Sequence, residues 1–216
     1  MALFVIDAID GVRVQTEQAW DFASEFNMPA IIFINKMEKE RADFNKAFQD
    51  VSESLSTPKP IVIQLPIGSE GDFKGVVDLI SMKAYIYDGE GKASVTEIPA
   101  DLQELAESEK ETLIENIAEA DDALIERYLE GESITDDELK ATLKKGVNER
   151  IFVPVACGSA IGKIAIDNLM DLIIGAGPSP VDRGAKIGVD LRGENEISRN
   201  PDPDAPFSAF IFKTVA

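Results

Sequence analysis

Short apolar runs and amphipathic segments alternate along the first quarter of the chain. Ala2–Asp7 and residues 30–34 are almost unbroken apolar runs, as expected of strands that helices cover on both faces. Residues 15–27 and 41–55 instead carry apolar side chains at three- and four-residue spacings, which predicts two amphipathic helices. Strand, helix, strand and helix joined by short links predict an α/β fold, a parallel sheet flanked by helices.

The aromatic residues of the two helices are predicted to fill the core. Trp20 and Phe26 fall on the apolar face of the first helix, with Ala19 and Ala23 at the same spacing. On the second helix, the apolar face includes two further aromatic residues, Phe44 and Phe48. A packing role, rather than a functional site, is therefore expected for these aromatic side chains.

The alternation breaks down between residues 58 and 99. Strand-like pieces follow one another there, at 61–65, 76–79 and 83–87. The run Asp88-Gly89-Glu90-Gly91 is rich in turn-forming residues. We therefore expect the later pieces to pair as antiparallel strands.

Helical spacing with charged outer faces extends from residue 99 to residue 147. Asp101 is expected to begin the first helix and Gly131 to end the second. Thr135-Asp136-Asp137-Glu138 is a capping-box sequence that opens a third helix. Strands followed by helices make residues 62–147 a predicted α+β insert within the α/β domain.

Sheet-like sequence returns after the insert. Residues 151–156 read as a strand, and a helix follows at about 164–174. A polar linker then runs to Pro206, and residues 207–216 have the apolar pattern of a strand. The predicted parts are residues 1–61 and 148–182 of the α/β domain, the insert at 62–147, and a linker with the start of a second domain at 183–216.

Strand-like sequence stands at both ends of the chain. A lone terminal strand needs a partner for its backbone and is an aggregation hazard without one. We therefore expect this chain to be a piece of a longer protein. The alternative is a complete domain whose terminal strands dock on its own sheet.

Composition excludes several classes of function. With 44% hydrophobic residues, the 216-residue chain can bury a core, and no apolar run approaches the roughly 20 residues that a membrane span needs. One cysteine forbids an internal disulfide, and the absence of histidine excludes a histidine-based zinc site or catalysis. We expect a cytoplasmic protein with no membrane partner.

The negative charge is concentrated in the insert. The net charge is −19, and residues 88–140 hold 18 acidic against 4 basic side chains. Free DNA is not an expected partner, because phosphate binding needs clustered Lys and Arg. The asymmetry indicates a subdomain with an acidic surface of its own.

Asn35-Lys36-Met37-Glu38 follows the second buried strand, at the place where open α/β sheets bind ligands. Guanine presents N1–H and N2–H₂ as adjacent donors that a carboxylate such as Glu38 can accept, whereas adenine has an unprotonated N1 and no such amine. The stem of Lys36 can lie over a purine face, and the amide of Asn35 can tie neighbouring loops together. Taken alone, these residues fit an ordinary polar strand end equally well.

A second loop, Cys157-Gly158-Ser159-Ala160, follows the returning strand and opens a helix. Its backbone N–H groups are expected to be free to donate to a ligand carbonyl such as guanine O6. A plain strand-to-helix turn is the alternative for this loop alone. Two such loops after two strands favour a pocket for a purine base. Cys157 itself is expected to be a small buried residue.

The two loops resemble those of bacterial elongation factor G, the translational GTPase that drives translocation. Asn35-Lys36-Met37-Glu38 is similar to the N-K-M-D base-recognition motif of that family, and Cys157-Gly158-Ser159-Ala160-Ile161 to its C-G-S-A-(L/F) motif. The likeness extends over essentially the whole chain. Further matching stretches are residues 7–12, 64–68, 73–79, 98–100, 178–180 and 206–209.

The resemblance implies a fold and a ligand. The fold is part of a P-loop-type GTPase domain, interrupted by an α+β insert and followed by the first strand of a β-barrel domain. The implied ligands are GTP and GDP, with Mg²⁺ held elsewhere in the parent protein. The residues implied to bind guanine are Asn35, Lys36, Glu38, Ser159, Ala160 and Ile161.

Three positions depart from the family pattern. Glu38 stands where the family has Asp, so its carboxylate reaches farther by roughly 1.5 Å, one carbon–carbon bond. Gly177 stands where Leu is usual, and Ile164-Ala165-Ile166 replaces a Gly-Val-Gln-like run. These departures fit a divergent paralogue at least as well as the housekeeping factor.

Two motifs of the family are absent from the sequence. There is no phosphate-cradling G-x-x-x-x-G-K-S/T, and no D-x-P-G-H segment, whose histidine positions the attacking water. Phosphoryl transfer needs those groups, so no catalytic residue and no metal ligand is expected in this chain. We expect the chain alone not to hydrolyse GTP and the parent protein to do so.

The resemblance also implies partners. The insert is similar to the subdomain that touches the ribosomal stalk protein, so the ribosome and its stalk are the implied partners. Its acidic helices, at about 104–119 and 121–130, can dock a basic helix by charge complementarity. The alternative is a solvated acidic face that only keeps the protein soluble.

Two other functions remain open. The first is a ribosome-binding module that has lost its selectivity for guanine. The second is a sister translational GTPase, of the release-factor recycling or ribosomal-protection type. An intact phosphate loop and D-x-P-G-H segment in the parent would favour an enzyme, and their decay would favour the module.

Overall fold

The computed structural model describes residues 1–89, 91–190, 192–209 and 211–215. It divides into two compact units, Met1–Gly177 and Pro178–Ala216. Three residues of predicted elements lie outside the described residues. They are Glu90 of the turn at 88–91, and Phe210 and Ala216 of the terminal strand.

Two sheets and their helices make up the first unit. Its strands are β1 (Ala2–Asp7), β2 (Ala30–Asn35), β3 (Lys59–Val62), β4 (Gln64–Ile67), β5 (Gly75–Asp78), β6 (Lys83–Tyr87), β7 (Ala93–Thr96) and β8 (Phe152–Cys157). Its helices are α1 (Val14–Glu25), α2 (Phe44–Ser54), α3 (Gln103–Ala118), α4 (Asp122–Leu129), α5 (Asp136–Asn148) and α6 (Ile166–Ala176).

The first sheet is parallel and has the strand order β1-β2-β8-β3. The central strand β2 is apolar along its length, and residues 30–34 are all buried. β8 is buried throughout, even at its proline. Unbroken apolar strands need cover on both faces, which the helices provide here. The predicted helix-flanked parallel α/β sheet is confirmed.

Most of the predicted core aromatic residues are buried or half-buried. The Trp20 ring packs edge-on against Phe4 of β1, with ring centroids 5.0 Å apart, and its indole N–H donates to the Thr57 carbonyl at 3.1 Å. Phe44 is buried, and the half-buried ring of Phe48 stacks on it at 6.2 Å. The contact of Trp20 with Phe4 fastens α1 to the parallel sheet, whereas the Phe44–Phe48 stack lies within α2.

Two predictions about this region are wrong. Phe26 is 69% exposed rather than part of the core, because α1 ends at Glu25 and Phe26 follows its last residue. β1 is not covered on both faces, since Leu3 and Val5 are exposed. Phe4 and Ile6 lie on the face of β1 that packs with Trp20 of α1, and the opposite face, which carries Leu3 and Val5, has no such cover in the described residues.

The predicted strand at 61–65 is divided between the two sheets. β3 ends at Val62 and pairs in parallel with β8, whereas β4 begins at Gln64 and pairs antiparallel with β5. Ile63 lies between them and bonds to both sheets. Its N–H donates to the Val155 carbonyl and its carbonyl accepts from the Leu79 N–H, each at 3.1 Å. The parallel sheet therefore continues directly into the antiparallel sheet, whose order is β4-β5-β6-β7.

The helices of the insert follow the predicted order. The capping box at α5 is present: Glu138 N–H donates to Thr135 Oγ1 at 3.3 Å and Thr135 N–H donates to Glu138 Oε2 at 2.9 Å. Arg127 of α4 also binds Glu138, and this ion pair, followed by the Thr135 bonds, lowers the pKa of Glu138 to about 2. α3 begins at Gln103 rather than at Asp101. No helix in the described part of the chain is both long and apolar enough to cross a membrane.

The second unit contains a hairpin where the sequence predicts a linker. Strands β9 (Lys186–Val189) and β10 (Glu196–Arg199) pair antiparallel. Asp190 closes the turn, because its carboxylate accepts from the N–H groups of Arg192 and Glu194 and from the Asn195 amide. The polar composition of the segment concealed this hairpin, since the stabilising groups are the polar ones.

The predicted strand at 207–216 is not present in the described residues of that segment. Residues 207–209 and 211–215 have no strand assignment and make no strand pairing. An apolar pattern forms a strand only where a neighbouring strand supplies backbone partners. That this segment opens a β-barrel domain stays a prediction.

Two helical glycines allow the packing of the first unit to be tested. A Cβ on Gly146 of α5 would lie 2.2 Å from Cζ of the buried Phe152, whereas a Cβ on Gly175 of α6 would meet nothing within 4 Å. We expect Gly146→Ala to lower the free energy of unfolding by about 1–3 kcal/mol through overpacking. Gly175→Ala should raise it by up to about 1 kcal/mol, because alanine is the better helix former.

Urea unfolding followed by circular dichroism measures both effects. The two variants carry the same substitution in the same type of element, so each is the control for the other. Equal effects of the two substitutions would contradict the close packing of α5 on β8.

Candidate functional site

The carboxyl ends of three parallel strands meet at one edge of the first sheet. In the β1–β2 register Asp7 stands opposite Asn35, and in the β2–β8 register Ile34 stands opposite Cys157. Ligands of open α/β sheets bind outside this edge. The candidate site therefore includes two segments: the first loop, residues 35–42 after β2, and the second loop, residues 158–165 after β8.

Three hydrogen bonds join the two loops and their strands. The Gly158 N–H donates to the Ile34 carbonyl at 2.9 Å, and the Met37 N–H donates to the Gly158 carbonyl at 3.3 Å. The Ala160 N–H donates to Asn35 Oδ1 at 2.9 Å. This last bond is the tie between neighbouring loops that the sequence predicts for the Asn35 amide.

The expectation that the second loop has free N–H groups is wrong at two residues. The Ser159 N–H donates to the Ile164 carbonyl at 3.0 Å, and the Ala160 N–H is taken by Asn35. The hydroxyl of the fully buried Ser159 accepts from the Gly162 N–H at 2.9 Å. The reason is that the loop closes on itself, so its polar groups find partners inside it. Ile161 is 77% exposed, and no described residue accepts from its N–H.

Gly158 is required by close packing at the start of the second loop. A Cβ on this residue would lie 2.5 Å from the Ile164 carbonyl oxygen and 2.7 Å from Cζ of Phe33. The preceding residue, Cys157, is fully buried, as predicted, and burial raises the pKa of its thiol. Cys157 and Gly158 thus form the buried base of the second loop, and the exposed residues Ala160 and Ile161 form its outer surface.

Lys36 adopts the left-handed conformation, with φ of 68°, and forms an ion pair with Asp7. Its Nζ lies 2.5 Å from Asp7 Oδ2, and the Lys36 side chain is 47% exposed. The bond to Asp7 raises the pKa of Lys36. Partial burial acts to raise the pKa of Asp7, but Lys36 and the N–H groups of Ile9 and Asp10 outweigh it, so this pKa lies below its ordinary value.

Asp7 was not among the site residues predicted from the sequence, where it only ends the first apolar run. Its Oδ1 accepts from the Ile9 N–H at 2.9 Å and so holds the turn, and its other oxygen holds Lys36. The signal was available in the sequence, since an acid that ends one parallel strand lies beside the polar residues that end the next. Among the described residues, no three His, Cys, Asp or Glu side chains gather closely enough to hold a metal ion.

Glu38 has the one feature of the site that points to a ligand. The residue is half-buried, and its Oε2 is buried with no hydrogen-bond partner among the described residues. Leaving a buried acceptor unsatisfied costs about 1–3 kcal/mol, and more for a charged group. Met37 beside it is 1% exposed and anchors this part of the first loop in the core. A ligand with N–H donors fits this carboxylate oxygen.

Comparison with known proteins places this arrangement in a family. The family model of the elongation factor Tu GTP-binding domain matches residues 1–179. A crystal structure of a protein from Thermus thermophilus is similar to this chain, with a TM-score of 0.77 and 31% sequence identity. The similarity covers 88% of this chain and 29% of that protein, so this chain spans less than a third of that protein's length.

The ion pair of Lys36 with Asp7 predicts a pH effect. The folded pKa of Asp7 lies below 3.8, so its ionised form contributes stability above that pH, and the contribution is lost as the pH falls through the folded pKa. Lys36→Met removes the hydrogen bond and the charge that lower this pKa. We therefore expect the pKa of Asp7 to rise in the variant, as measured by carbon-detected NMR titration of the carboxyl group.

Lys39→Met is the matched control. Lys39 is an exposed lysine of the same first loop, and no ion pair of its side chain is present among the described residues. The control removes the same charge from the chain and should leave the pKa of Asp7 nearly unchanged. An equal rise in both variants would indicate a general charge effect instead of the Lys36–Asp7 pair.

Proposed function

This chain belongs to the elongation factor Tu GTP-binding domain family, and we propose that it supplies the guanine-binding part of a translational GTPase similar to elongation factor G. The observation that carries the proposal is the buried, unpartnered Oε2 of Glu38. Glu38 lies in the first of two loops that follow adjacent parallel strands. A buried carboxylate oxygen without a partner suits a ligand that brings adjacent N–H donors.

Glu38 is proposed to select guanine over adenine. The N1–H and N2–H₂ of guanine are adjacent donors, and each converts a cost of burial into a charge-assisted hydrogen bond. Adenine offers an unprotonated N1 at the same place, which the carboxylate would repel. Rejection is strong in such sites because the wrong ligand leaves a buried polar group unpaired.

Asn35 and Lys36 are proposed to hold the base in place. The Oδ1 of Asn35 is engaged with Ala160, which orients the amide so that its nitrogen can donate to an acceptor of the base. The ammonium of Lys36 is held by Asp7, and its stem can lie across the purine face. Both side chains are thus held by bonds that exist before a ligand binds, which lowers the entropy lost on binding.

The second loop is proposed to meet the O6 side of guanine. Of Ser159, Ala160 and Ile161, only Ile161 has a backbone N–H that no described residue accepts. We therefore propose Ile161 N–H as the donor to O6, with Ala160 able to join if its bond to Asn35 opens. Ser159 supports the loop from its buried position rather than touching the base.

Hydrolysis of GTP is proposed to require groups outside this chain. A phosphate loop and Mg²⁺ position the transferred phosphoryl group and neutralise its charge in P-loop GTPases. This sequence contains no G-x-x-x-x-G-K-S/T motif and no histidine. The proposed role of this chain is to select the nucleotide, while the parent protein hydrolyses it on the ribosome during translocation in the cytoplasm.

The acidic insert is proposed to contact a basic partner, with the ribosomal stalk as the candidate. Exposed carboxylates such as Glu104 and Glu107 on α3 and Glu126 and Glu130 at α4 support this idea. A ribosome-binding module without nucleotide selectivity, or a sister translational GTPase of the recycling or protection type, would use the same surface. Base selectivity at Glu38 is what distinguishes the enzyme from the module.

Nucleoside binding tests the guanine site without the phosphate groups. In amide-detected NMR titrations we expect millimolar guanosine to shift residues 35–38 and 160–161 of the wild-type chain, and adenosine to leave them unmoved. Glu38→Gln replaces one acceptor oxygen by a donor, so it should abolish these guanosine shifts. Equal shifts with adenosine would contradict the proposal.

Glu40→Gln is the matched control for charge. Glu40 is an exposed acid of the same loop, two residues beyond Glu38. Its replacement should leave both the guanosine shifts and the selectivity unchanged. Glu38→Asp keeps the carboxylate, and we expect it to retain the preference for guanosine.

Calorimetry tests how tightly this chain alone binds GTP. Most of the nucleotide binding energy is proposed to come from a phosphate loop that this sequence lacks, so GTP should bind the isolated chain weakly or undetectably. No phosphate release above the buffer rate is expected. Tight binding of GTP to this chain would refute this prediction, even if base selectivity were observed.

A further inference from the structure

Among the described residues, one hydrogen bond joins the first loop to the antiparallel part of the insert. The Arg41 N–H donates to Oε1 of Glu70 at 2.7 Å. Glu70 lies in the connection between β4 and β5, in the short 3-10 helix Glu70–Asp72. An element of the insert therefore contacts the loop that carries Glu38.

We propose that Glu70 is a positioning residue for guanine recognition, which fixes the first loop so that the Glu38 carboxylate meets the base. This inference rests on the proposed function, because it concerns the same site. It assigns to the insert a role in nucleotide selection besides the docking of a partner. Glu70 itself does not touch the base in this proposal.

Successive turns build the first loop. The Lys39 N–H donates to the Lys36 carbonyl, and the Ala42 N–H donates to the Lys39 carbonyl, each at 3.0 Å. The Arg41 N–H instead finds its acceptor in Glu70. Lys36 and Arg41 both have φ of 68°, a conformation that costs a non-glycine residue about 1 kcal/mol or more and persists where its surroundings hold it. Glu38 lies between these two residues.

Both ends of the loop are therefore held by an acid. Asp7 holds Lys36 through its ammonium, and Glu70 holds Arg41 through its backbone. Because Glu38 stands between the two fixed points, its carboxylate has a defined place. Losing the Glu70 bond would release one end and allow the buried Oε2 of Glu38 to leave its position.

The segment that presents Glu70 is itself well anchored. The Phe73 N–H donates to the Glu70 carbonyl and the Asp72 N–H to the Ser69 carbonyl, each at 3.0 Å. The Phe73 side chain is 5% exposed and belongs to the same core cluster as Met37. Glu70 also has a positive φ, of 52°, a conformation that persists where its surroundings hold it. The Glu70 carboxylate can therefore hold the Arg41 end of the first loop in a fixed place, and we call this contact between Glu70 and Arg41 the brace.

The brace makes the insert and the guanine site thermodynamically coupled. If a partner that binds the insert displaces the connection at 68–73, the Glu70 bond weakens and the affinity for guanine falls. By linkage, bound guanine would oppose that partner by the same factor. Direct coupling of this kind needs no motion of the parallel sheet, because the contact spans only the two loops.

Two conservative variants of Glu70 test the brace in the full 216-residue chain. Glu70→Asp keeps the charge but withdraws the carboxylate by about one carbon–carbon bond, so the bond to Arg41 is lost. Glu70→Gln removes the charge but keeps an oxygen that accepts from the Arg41 N–H. Glu70 is half-buried and is not part of either hydrophobic core cluster, so these small changes leave the core untouched.

The measurements are the dissociation constant of guanosine by NMR titration and the hydrogen-exchange rate of the Arg41 amide. We expect Glu70→Asp to weaken guanosine binding about three- to tenfold and to speed exchange at Arg41, the range expected for one hydrogen bond. Glu70→Gln should stay within about twofold of the wild type in both readouts. Asp72→Asn, at an exposed acid two residues away, is the control for charge and should change neither.

The outcomes separate this inference from the proposed function. If the wild-type chain binds guanosine and Glu70→Asp binds it equally well, the brace is refuted and the guanine site stands. If Glu70→Gln weakens binding as much as Glu70→Asp, keeping an acceptor oxygen in place does not preserve binding, and the brace is again refuted. If the wild-type chain does not respond to guanosine, the proposed function fails and the inference fails with it.

Discussion

The candidate site depends on the pairing of β2 with β8. This ladder places Ile34 beside Cys157, and the loops that follow these strands are joined by the bond from Ala160 to Asn35. More than a hundred residues of chain separate the two strands, so the pairing forms only after that long segment has returned to the same sheet. The entropy cost of loop closure grows only slowly with the length of the closed segment, and the burial of the two strands offsets it. Without this pairing, the polar residues of the two loops would be unrelated strand ends.

The intervening segment is fastened to the parallel sheet at several points. Ile63 bonds to Val155 on one side and to Leu79 on the other, so this residue links the two sheets. Phe73 is buried in the core cluster beneath the first loop, and Glu70 holds the Arg41 N–H above it. A peripheral, flexibly tethered insert would leave no such contacts. The first loop and the insert are consequently parts of one packed structure.

The sequence was sufficient for what depends on local pattern and chemistry. Period and hydrophobicity predicted strands at 30–34 and 151–156, within one residue of β2 and β8, and donor–acceptor chemistry predicted that Asn35 could tie the loops. Contacts between segments that are distant in the chain could not be predicted from the sequence. The N–H of Ser159 was expected to be free, but it is taken by Ile164 across the loop, and the Arg41–Glu70 bond joins residues that no spacing relates. The division of one apolar run at Ile63 likewise follows from which strands lie alongside, and the exposure of Phe26 follows from the end of α1 at Glu25.

The electrostatic arrangement explains why Glu38 remains available to a ligand. Lys36, two residues before Glu38, directs its ammonium to Asp7, and the pKa of Lys36 is raised first by Asp7, with Glu38 last among the groups that raise it. Had Lys36 paired with Glu38 instead, the carboxylate would already be satisfied, and guanine would gain little by binding there. By engaging the cation, Asp7 leaves the Glu38 oxygen buried without a partner among the described residues. The longer side chain of glutamate, compared with the family's aspartate, brings that oxygen farther from the backbone, so its place depends more strongly on how the loop is held. A site built on this residue therefore needs a rigid first loop more than one built on aspartate, and the acids at both ends of the loop provide that rigidity.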